Sequence, residues 1–206
     1  MSSGLPKAER DGHKIVLFAK QSRQFQISHC YAFIFMLKYK KTHLQGDTMF
    51  RELTRKKQQL TQEKCIEILK NEKRGVLCVL GDDDYPYAVP INHWYCEEDG
   101  KLYFHSGKFG HKIDAMRKHS KVSFCVYDEG FLKEGDWALN ISSVIVFGRV
   151  NFIDDCEKAL DISRKLSYKF TSDESYIDYE IEHSGKNVLC FELVPEHISG
   201  KLVNEK

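Results

Sequence analysis

The 206-residue chain is nearly balanced in charge, with 31 Lys and Arg against 30 Asp and Glu, and 42% of its residues are hydrophobic. This composition is typical of one globular domain with a substantial core, and it excludes the global charge that favours nucleic acid or an anionic membrane. The seven cysteines are scattered and form no CxxC pair. We therefore interpret them as buried, reduced thiols of a cytoplasmic protein.

The first 48 residues do not share the pattern of the rest. Their apolar run at 27–37 is about half as long as a membrane span requires, and no small-residue cleavage site follows it, which argues against a signal peptide. We predict that residues 1–48 are an N-terminal extension, either disordered or upstream of a true start at Met49. The alternative is an arm that binds a membrane surface or a partner. Residues 49–206 then form the working domain.

The domain opens with a predicted helix. Thr61 is a suitable N-cap, and Cys65, Ile66 and Leu69 follow at helical spacing. Gly75 is a typical helix stop. A buried strand is expected directly afterwards, over 76–80.

The next stretch predicts a hairpin. A long strand is expected over 85–96, and its two prolines favour a sheet edge, a bulge or an irregular start. A turn over 97–100 leads into a returning strand over 101–105. The chain then forms a glycine-containing loop over 106–110 and a helix over 111–119, with Ile113 and Met116 facing inward.

The second half predicts longer elements. Strands are expected over 121–127 and 139–153, with Gly148 allowing a kink or close packing, and a polar loop joins them. Helices follow over 154–170 and 174–183, and a last strand over 188–194 ends at Pro195. Since no βαβ unit repeats, this order favours a mainly β, α+β fold: an antiparallel barrel with flanking helices.

Several functional signatures are absent from the sequence. It contains no GxGxxG, no P-loop and no GxSxG nucleophile elbow. The nine histidines lack the spacing of a zinc site, so no metal site is expected.

The loop before the second helix is a candidate phosphate site. Ser106, Lys108, His111 and Lys112 lie among two glycines at a predicted helix N-terminus. Free backbone N–H groups and the helix dipole favour an anion there. The alternative is a solvated basic loop whose glycines serve only the turn.

Two further groups of polar residues lie on predicted strands. Asn92 and His93 point to opposite faces of one strand, and each needs a ligand or a local hydrogen-bond partner. Ser142 and Ser143 begin an otherwise apolar strand. They could reach a cofactor from a second subunit or could cap the strand end.

Four segments occur together in an order that resembles a known family: RGVLCVLGDDDYPYAVPINHWY, GKLYFHSGKFGHKIDAMRKHSKVSFCVYDEG, ALNISSVIVFGRV and FELVPEHISGK. They resemble the nitroimidazole-resistance (Nim) branch of the pyridoxamine 5'-phosphate oxidase-like flavoproteins. The resemblance covers residues from Met49 to the end of the chain. It implies an antiparallel split β-barrel of the FMN-binding type, with FMN at the interface of a homodimer.

The resemblance also implies roles for particular residues. FMN would be held by Val89, Pro90, Ile91, Asn92, His105, Ser106, Lys108, His111, Lys112, Ser142 and Ser143. His93 is the matching candidate for substrate chemistry. The implied activity is FMN-dependent reduction of nitroaromatic small molecules such as 5-nitroimidazoles, with a reduced nicotinamide or another electron donor.

The chain also departs from one group of this family. It ends in ISGKLVNEK and lacks the arginine-containing C-terminal motif with which true pyridoxamine-phosphate oxidases hold their substrate. Vitamin B6 synthesis is therefore the weaker expectation. The same barrel could also serve as a non-catalytic flavin-binding or storage module, or as a haem- or metal-binding protein.

Overall fold

The computed structural model describes residues 49–203, so the predicted extension at 1–48 lies outside the described residues and stays a prediction. Within the described range, four α-helices accompany eight strands. The helices are α1 (Gln62–Asn71), α2 (His111–Lys118), α3 (Cys156–Ser167) and α4 (Glu174–Ser184). The strands are β1 (Arg74–Leu80), β2 (Pro86–Asn92), β3 (Trp94–Cys96), β4 (Lys101–Gly107), β5 (Lys121–Tyr127), β6 (Phe131–Leu132), β7 (Leu139–Ile153) and β8 (Val188–Val203).

The strands form one curved antiparallel sheet. Their order is β2-β1-β5-β7-β8-β4-β3, and β6 pairs only with β7. β7 and β8 are the longest strands, and they pair along almost their full length. The architecture is a mainly antiparallel β half-barrel with flanking helices, which confirms the predicted fold class.

The core lies inside this half-barrel and is built around three phenylalanines. Phe104, Phe124 and Phe191 are fully buried, and the Phe104 ring lies 4.9 Å from that of Phe191 and 5.1 Å from that of Phe124. Leu69 of α1 and Ile113 of α2 are buried in the same cluster. Each such side chain contributes roughly 1.5–3 kcal/mol by burial, so the core fixes both helices against the sheet.

The first predicted helix is confirmed at its start but not at its stop. The side chain of Thr61 accepts a hydrogen bond from the backbone N–H of Lys64 at 3.3 Å, as an N-cap does. Gly75, however, lies inside β1 rather than at a helix end, so that prediction was wrong. A Cβ at Gly75 would overlap the Phe124 ring and the carbonyl oxygen of Cys125. Close packing therefore explains this glycine.

The strand predicted over 85–96 divides at His93. β2 pairs with β1 at one end of the sheet, whereas β3 pairs with β4 at the other end. The two prolines, Pro86 and Pro90, lie on β2, which is an edge strand as predicted. The following loop begins later than predicted, because Ser106 and Gly107 still pair with β8.

The last strand runs through Pro195 instead of ending there. The pairing of β7 with β8 shifts register between Phe147 and Gly148, and Pro195 lies opposite Gly148 at this irregularity. A bulge tolerates proline because the ladder of hydrogen bonds is already interrupted there. The prediction that Gly148 permits close packing is confirmed, since a Cβ there would overlap the carbonyl oxygen of Val194.

The remaining elements match the sequence pattern closely. β5 and β7 have the predicted bounds, while the polar loop between them contains the unpredicted β6. Asp155 and Asp173 cap α3 and α4 by accepting backbone N–H hydrogen bonds, so α3 begins two residues later than expected. Among residues 49–203, no helix combines the length and apolar character needed to cross a bilayer.

Candidate functional site

The loop between β4 and α2 leaves the start of the helix without a side-chain cap. Gly110 occupies the N-cap position with φ 122°, and no side chain hydrogen-bonds there. The backbone N–H groups of Ile113 and Asp114 both donate to the carbonyl oxygen of Gly110. The first N–H groups of a helix have no partner inside it, so this end can accept an anion.

Ser106 lies at the end of β4, a few residues before the helix start in the sequence. Its Oγ is buried and has no hydrogen-bond partner among the described residues. A buried hydroxyl without a partner costs about 1–3 kcal/mol, so native structures rarely leave one unsatisfied. A ligand oxygen at this position would satisfy Ser106.

The neighbouring His105 faces the opposite side of β4, since side chains alternate along a strand. It pairs in register with Cys190 of β8 and is partly buried. Burial lowers the pKa of His105 below its ordinary value of 6.5, so the imidazole is neutral at pH 7. His105 is thus near Ser106 along the chain but does not share its face.

His111 is held by its own neighbours. Its ring stacks on Tyr87 with centroids 4.2 Å apart, and its Nε2 lies 3.4 Å from the backbone nitrogen of Asp82 and 3.6 Å from Oδ2 of that residue. Lys118 pairs with the same carboxylate at 3.1 Å. A cleft of about 540 Å³ lies beside this cluster, lined by Asp82, His111, Asp114, Arg117 and Lys118.

The two predicted phosphate lysines differ in their surroundings. Lys108 Nζ donates to the backbone carbonyl oxygen of Lys186 at 2.6 Å, which ties it to the chain before β8. Lys112 is half-buried and makes no ion pair or side-chain hydrogen bond within residues 49–203. Lys112 is therefore the better placed of the two to receive an anion.

The predicted flavin-facing residues of β2 alternate between two faces. Val89 and Ile91 are half-buried, whereas Pro90 is exposed on the other face. The side-chain oxygen of Asn92 accepts a hydrogen bond from Arg74 Nε at 3.1 Å. Tyr87, near the start of β2, stacks on His111 of α2, whereas Asn92 pairs with Arg74 at the opposite end of the strand.

His93 lies in the core rather than in an open site. It is fully buried, its Nε2 lies 2.8 Å from the carbonyl oxygen of Leu69, and its ring meets Phe124 edge-on at 4.9 Å. Burial, followed by the charge of Lys169, lowers the pKa of His93 to about 3. The ring is therefore neutral, and Nε2 donates to Leu69. This geometry favours a structural role, and a part in substrate chemistry stays a prediction.

Ser142 and Ser143 lie away from the start of α2 in the same chain. Ser142 is 5% exposed and faces inward, whereas Ser143 faces outward between Tyr127 of β5 and Lys201 of β8. Along β8, Ser106 pairs with Leu189 and Ser142 pairs with Leu202, so Ser106 and Ser142 are separated by most of the length of that strand. The structure therefore does not unite the two serines with the loop residues in one chain.

An apolar outer surface of the sheet was missed in the sequence. Alternate residues of β1, β5 and β7 face outward and form what we call the outer face: Val76, Cys78, Cys125, Ile145 and Phe147. Ile145 and Phe147 are 36% and 38% exposed. The signal was present, because these strands are apolar on both faces, as strands covered on both sides are.

Comparisons with known proteins agree with this architecture. The model of the family described as pyridoxamine 5'-phosphate oxidase matches residues 61–202. A search of the curated proteins found no match.

Three solved structures are similar to this chain. A candidate 5-nitroimidazole antibiotic resistance protein of Bacteroides thetaiotaomicron is 23% identical, with a TM-score of 0.61 over 71% of this chain and 87% of that one. An FAD-binding protein of Mesorhizobium loti is 25% identical, with a TM-score of 0.51 over 70% and 96%. A conserved hypothetical protein of Mycobacterium tuberculosis is 16% identical, with a TM-score of 0.60 over 73% and 90%. The first and third likenesses establish the fold and do not assign the Nim branch.

Proposed function

The chain belongs to the pyridoxamine 5'-phosphate oxidase family, and from this membership we propose that it is an FMN-dependent oxidoreductase. The observation that carries the proposal is the buried, unpartnered Oγ of Ser106 on the segment that leads into the uncapped start of α2. A phosphorylated ligand with a hydroxylated chain suits both features. The similarity to an FAD-binding protein of Mesorhizobium loti supports a flavin as the ligand.

The residues around this start would divide the binding of FMN among them. Lys112 and the first backbone N–H groups of α2 would hold the phosphate, and Ser106 would bind the ribityl chain. The segment 89–92 would lie along the ring system. Lys108 and His111 would complete the polar surroundings, and His105 would contribute only from the other face of β4.

The outer face supports a homodimer. Monomeric proteins seldom leave a contiguous apolar sheet surface exposed, and a second copy can cover the outer face by two-fold symmetry. In such a dimer, the outward-facing Ser143 of one copy would reach the FMN held by the other, and the buried Ser142 would support the strand that carries it. Sedimentation of the purified protein tests this arrangement, and a monomer at micromolar concentration would contradict it.

The activity that we propose is reduction of nitroaromatic compounds such as 5-nitroimidazoles. Bound FMN would supply the electron-transfer chemistry, with electrons from a reduced nicotinamide or another donor in the cytoplasm. The protein would orient the substrate and exclude water from the site. The family membership and the motif resemblance together support this substrate class.

A non-catalytic flavin carrier is the second candidate. The complete burial of His93 favours it, because the side chain predicted to act on substrate is enclosed in the core. The two functions differ in one assay. Purified holoprotein supplied with a donor should reduce a 5-nitroimidazole if it is a reductase, and it should be inert with every donor if it is a carrier.

Identification of the cofactor comes before that assay. The purified protein should be yellow, and heat or acid should release FMN identified by mass. Protein that is colourless and takes up no added FMN would refute both candidate functions.

A further inference from the structure

Lys169 is a half-buried lysine just beyond the end of α3, and it takes no part in the proposed flavin site. Its Nζ donates a hydrogen bond to the backbone carbonyl oxygen of Glu72. Glu72 is the residue that directly follows α1. A single amine therefore joins the ends of two helices that are far apart in the sequence.

The hydrogen-bond partner of Lys169 differs in kind from that of several other lysines. Lys64, Lys70 and Lys118 lie 2.8, 2.9 and 3.1 Å from a carboxylate oxygen, which stabilises the charged ammonium form. In the part of the chain that the structure describes, no carboxylate lies within ion-pair distance of Lys169. A carbonyl oxygen accepts an N–H from a neutral amine as well as from an ammonium. A neutral Lys169 therefore keeps its hydrogen bond and also has a free lone pair.

The immediate surroundings of Lys169 disfavour a positive charge. Burial lowers the pKa of Lys169 to about 8; the Glu72 carboxylate opposes this shift, and the Lys73 ammonium adds to it. Lys73 is held beside Lys169, with its Nζ 5.5 Å from the centre of the Phe170 ring. About a quarter of Lys169 is thus neutral at pH 7.5, against roughly one molecule in a thousand for a lysine with the ordinary pKa.

Other titratable groups face the same junction between α1 and α3. Burial, followed by the charge of Lys169, lowers the pKa of His93, so the buried imidazole adds no positive charge near neutral pH. Burial raises the pKa of Glu72, and the carboxylates of Asp128 and Glu129 raise it further. A Glu72 side chain that ionises less readily compensates the charge of Lys169 less, so these neighbours also favour the neutral amine.

The amine of Lys169 is fixed in place but lies on a segment that solvent reaches. The flanking side chains of Tyr168 and Phe170 are 47% and 43% exposed. The backbone N–H of Lys169 donates to the carbonyl oxygen of Leu166 at 3.2 Å, which holds the turn after α3. A small reagent can therefore approach a partly desolvated amine beside a second cation, and both features activate a lysine as a nucleophile.

We propose that Lys169 is a modification site for activated acyl groups, as carried by acyl phosphates and acyl thioesters. The neutral Nζ attacks the carbonyl carbon of the acyl donor, and an amide C–N bond forms. The bond from that carbon to the phosphate oxygen or the thioester sulfur breaks, and the phosphate or thiolate leaves with the electron pair. The surplus proton of Nζ passes to solvent. The reaction needs no oxidant or reductant, and it is independent of the flavin function proposed above.

Site-resolved acetylation of the native protein tests this proposal. The protein is treated at pH 7.5 with acetyl phosphate or, separately, with acetyl-coenzyme A, and mass spectrometry of its peptides gives the rate at each lysine. Lys169 should react about tenfold faster than Lys108, which also donates to a backbone carbonyl oxygen but is exposed. Faster reaction with only one of the two reagents would support the site and identify the acyl source. Equal rates at Lys169 and Lys108 with both reagents would overturn the proposal.

Unfolding and two variants show whether the fold causes the reactivity. In urea the advantage of Lys169 over Lys108 should disappear, because the unfolded chain does not bury the amine. Lys73→Gln removes the neighbouring cation and should slow acetylation of Lys169 about twofold. Lys70→Gln removes a lysine that pairs with Glu97 and should leave the rate at Lys169 unchanged. A rate at Lys169 that is the same in urea and in Lys73→Gln as in the native protein would overturn the proposal.

Discussion

Replacement of His93 by Phe should change how the stability of the protein depends on pH. Burial lowers the pKa of His93 from 6.5 to about 3. Between these two values the unfolded chain binds a proton that the folded chain does not. The neutral His93 side chain therefore contributes its full share of the folding stability above pH 6.5, and this contribution is lost as the pH falls towards 3. The loss is about 1.4 kcal/mol per pH unit, or roughly 3 kcal/mol between pH 6.5 and 4.5.

His93→Phe removes this titration but retains an aromatic ring beside Phe124. It also removes the donor to the carbonyl oxygen of Leu69, so at pH 7.5 the variant should be less stable by about 1–3 kcal/mol. Urea denaturation at pH 7.5, 6.5 and 4.5 measures both effects. The free energy of unfolding should fall less steeply with acidification in His93→Phe than in wild-type protein.

His119→Gln is the matched control, because His119 is exposed at the end of α2. It should retain the wild-type pH dependence. Parallel curves for His93→Phe and wild-type protein would refute the burial argument. The same variant tests the predicted chemistry: if His93 acts only in packing, the holoprotein should keep its rate of nitroimidazole reduction.

The fold itself carries three further predictions. Gly148→Ala should lower the free energy of unfolding by more than about 2 kcal/mol, because the new Cβ would overlap the backbone of Val194. A Cβ at Gly107 would meet no atom within 4 Å, so Gly107→Ala should change the free energy of unfolding little. Glu192→Ala should lower the free energy of unfolding by about 2–3 kcal/mol, since this 8% exposed carboxylate accepts two hydrogen bonds from Lys101 at 3.0 Å. An unchanged free energy of unfolding in urea denaturation would contradict a stabilising role for Glu192. Leu69→Ala should lower the free energy of unfolding by about 2–5 kcal/mol, because Leu69 is fully buried. A decrease of less than about 1 kcal/mol would show that α1 is weakly packed.

Local patterns were enough to predict most of the elements. β5 and β7 have the bounds expected from their apolar runs, and Thr61 caps α1 through its side chain. These signals are short-range, because capping and alternation depend on residues a few positions apart. They were also sufficient to predict an antiparallel barrel with flanking helices, while the split barrel was implied by the family resemblance.

Long-range packing explains most of the errors. Glycine is typical of helix ends, yet the role of Gly75 depends on Phe124, which is far away in the sequence and close in space. Pro195 continues a strand because a register shift opposite Gly148 accommodates it. The division of the long strand at His93 depends on which strands the two halves pair with. No single segment contains this information.

The candidate site shows the same contrast between local and long-range information. The helix start at His111 and the glycine before it follow from the local sequence of the loop. The burial of His93 and the tie between Lys108 and the carbonyl oxygen of Lys186 follow from tertiary packing. The sequence shows that each strand of the outer face is apolar on both sides, but the register of three strands decides which residues lie together there.

The central claim is that the start of α2 binds the phosphate of FMN. Riboflavin lacks that phosphate, so a comparison of FMN with riboflavin tests the claim most directly. Both ligands should be titrated into apoprotein of wild type, Lys112→Ala and the control Lys118→Ala. The wild-type preference for FMN over riboflavin should fall about tenfold or more in Lys112→Ala, as expected for a lost charge-assisted hydrogen bond. Lys118→Ala, whose exposed ion pair with Asp82 lies farther along α2, should keep the full preference. An equal preference for FMN in all three proteins would contradict the account.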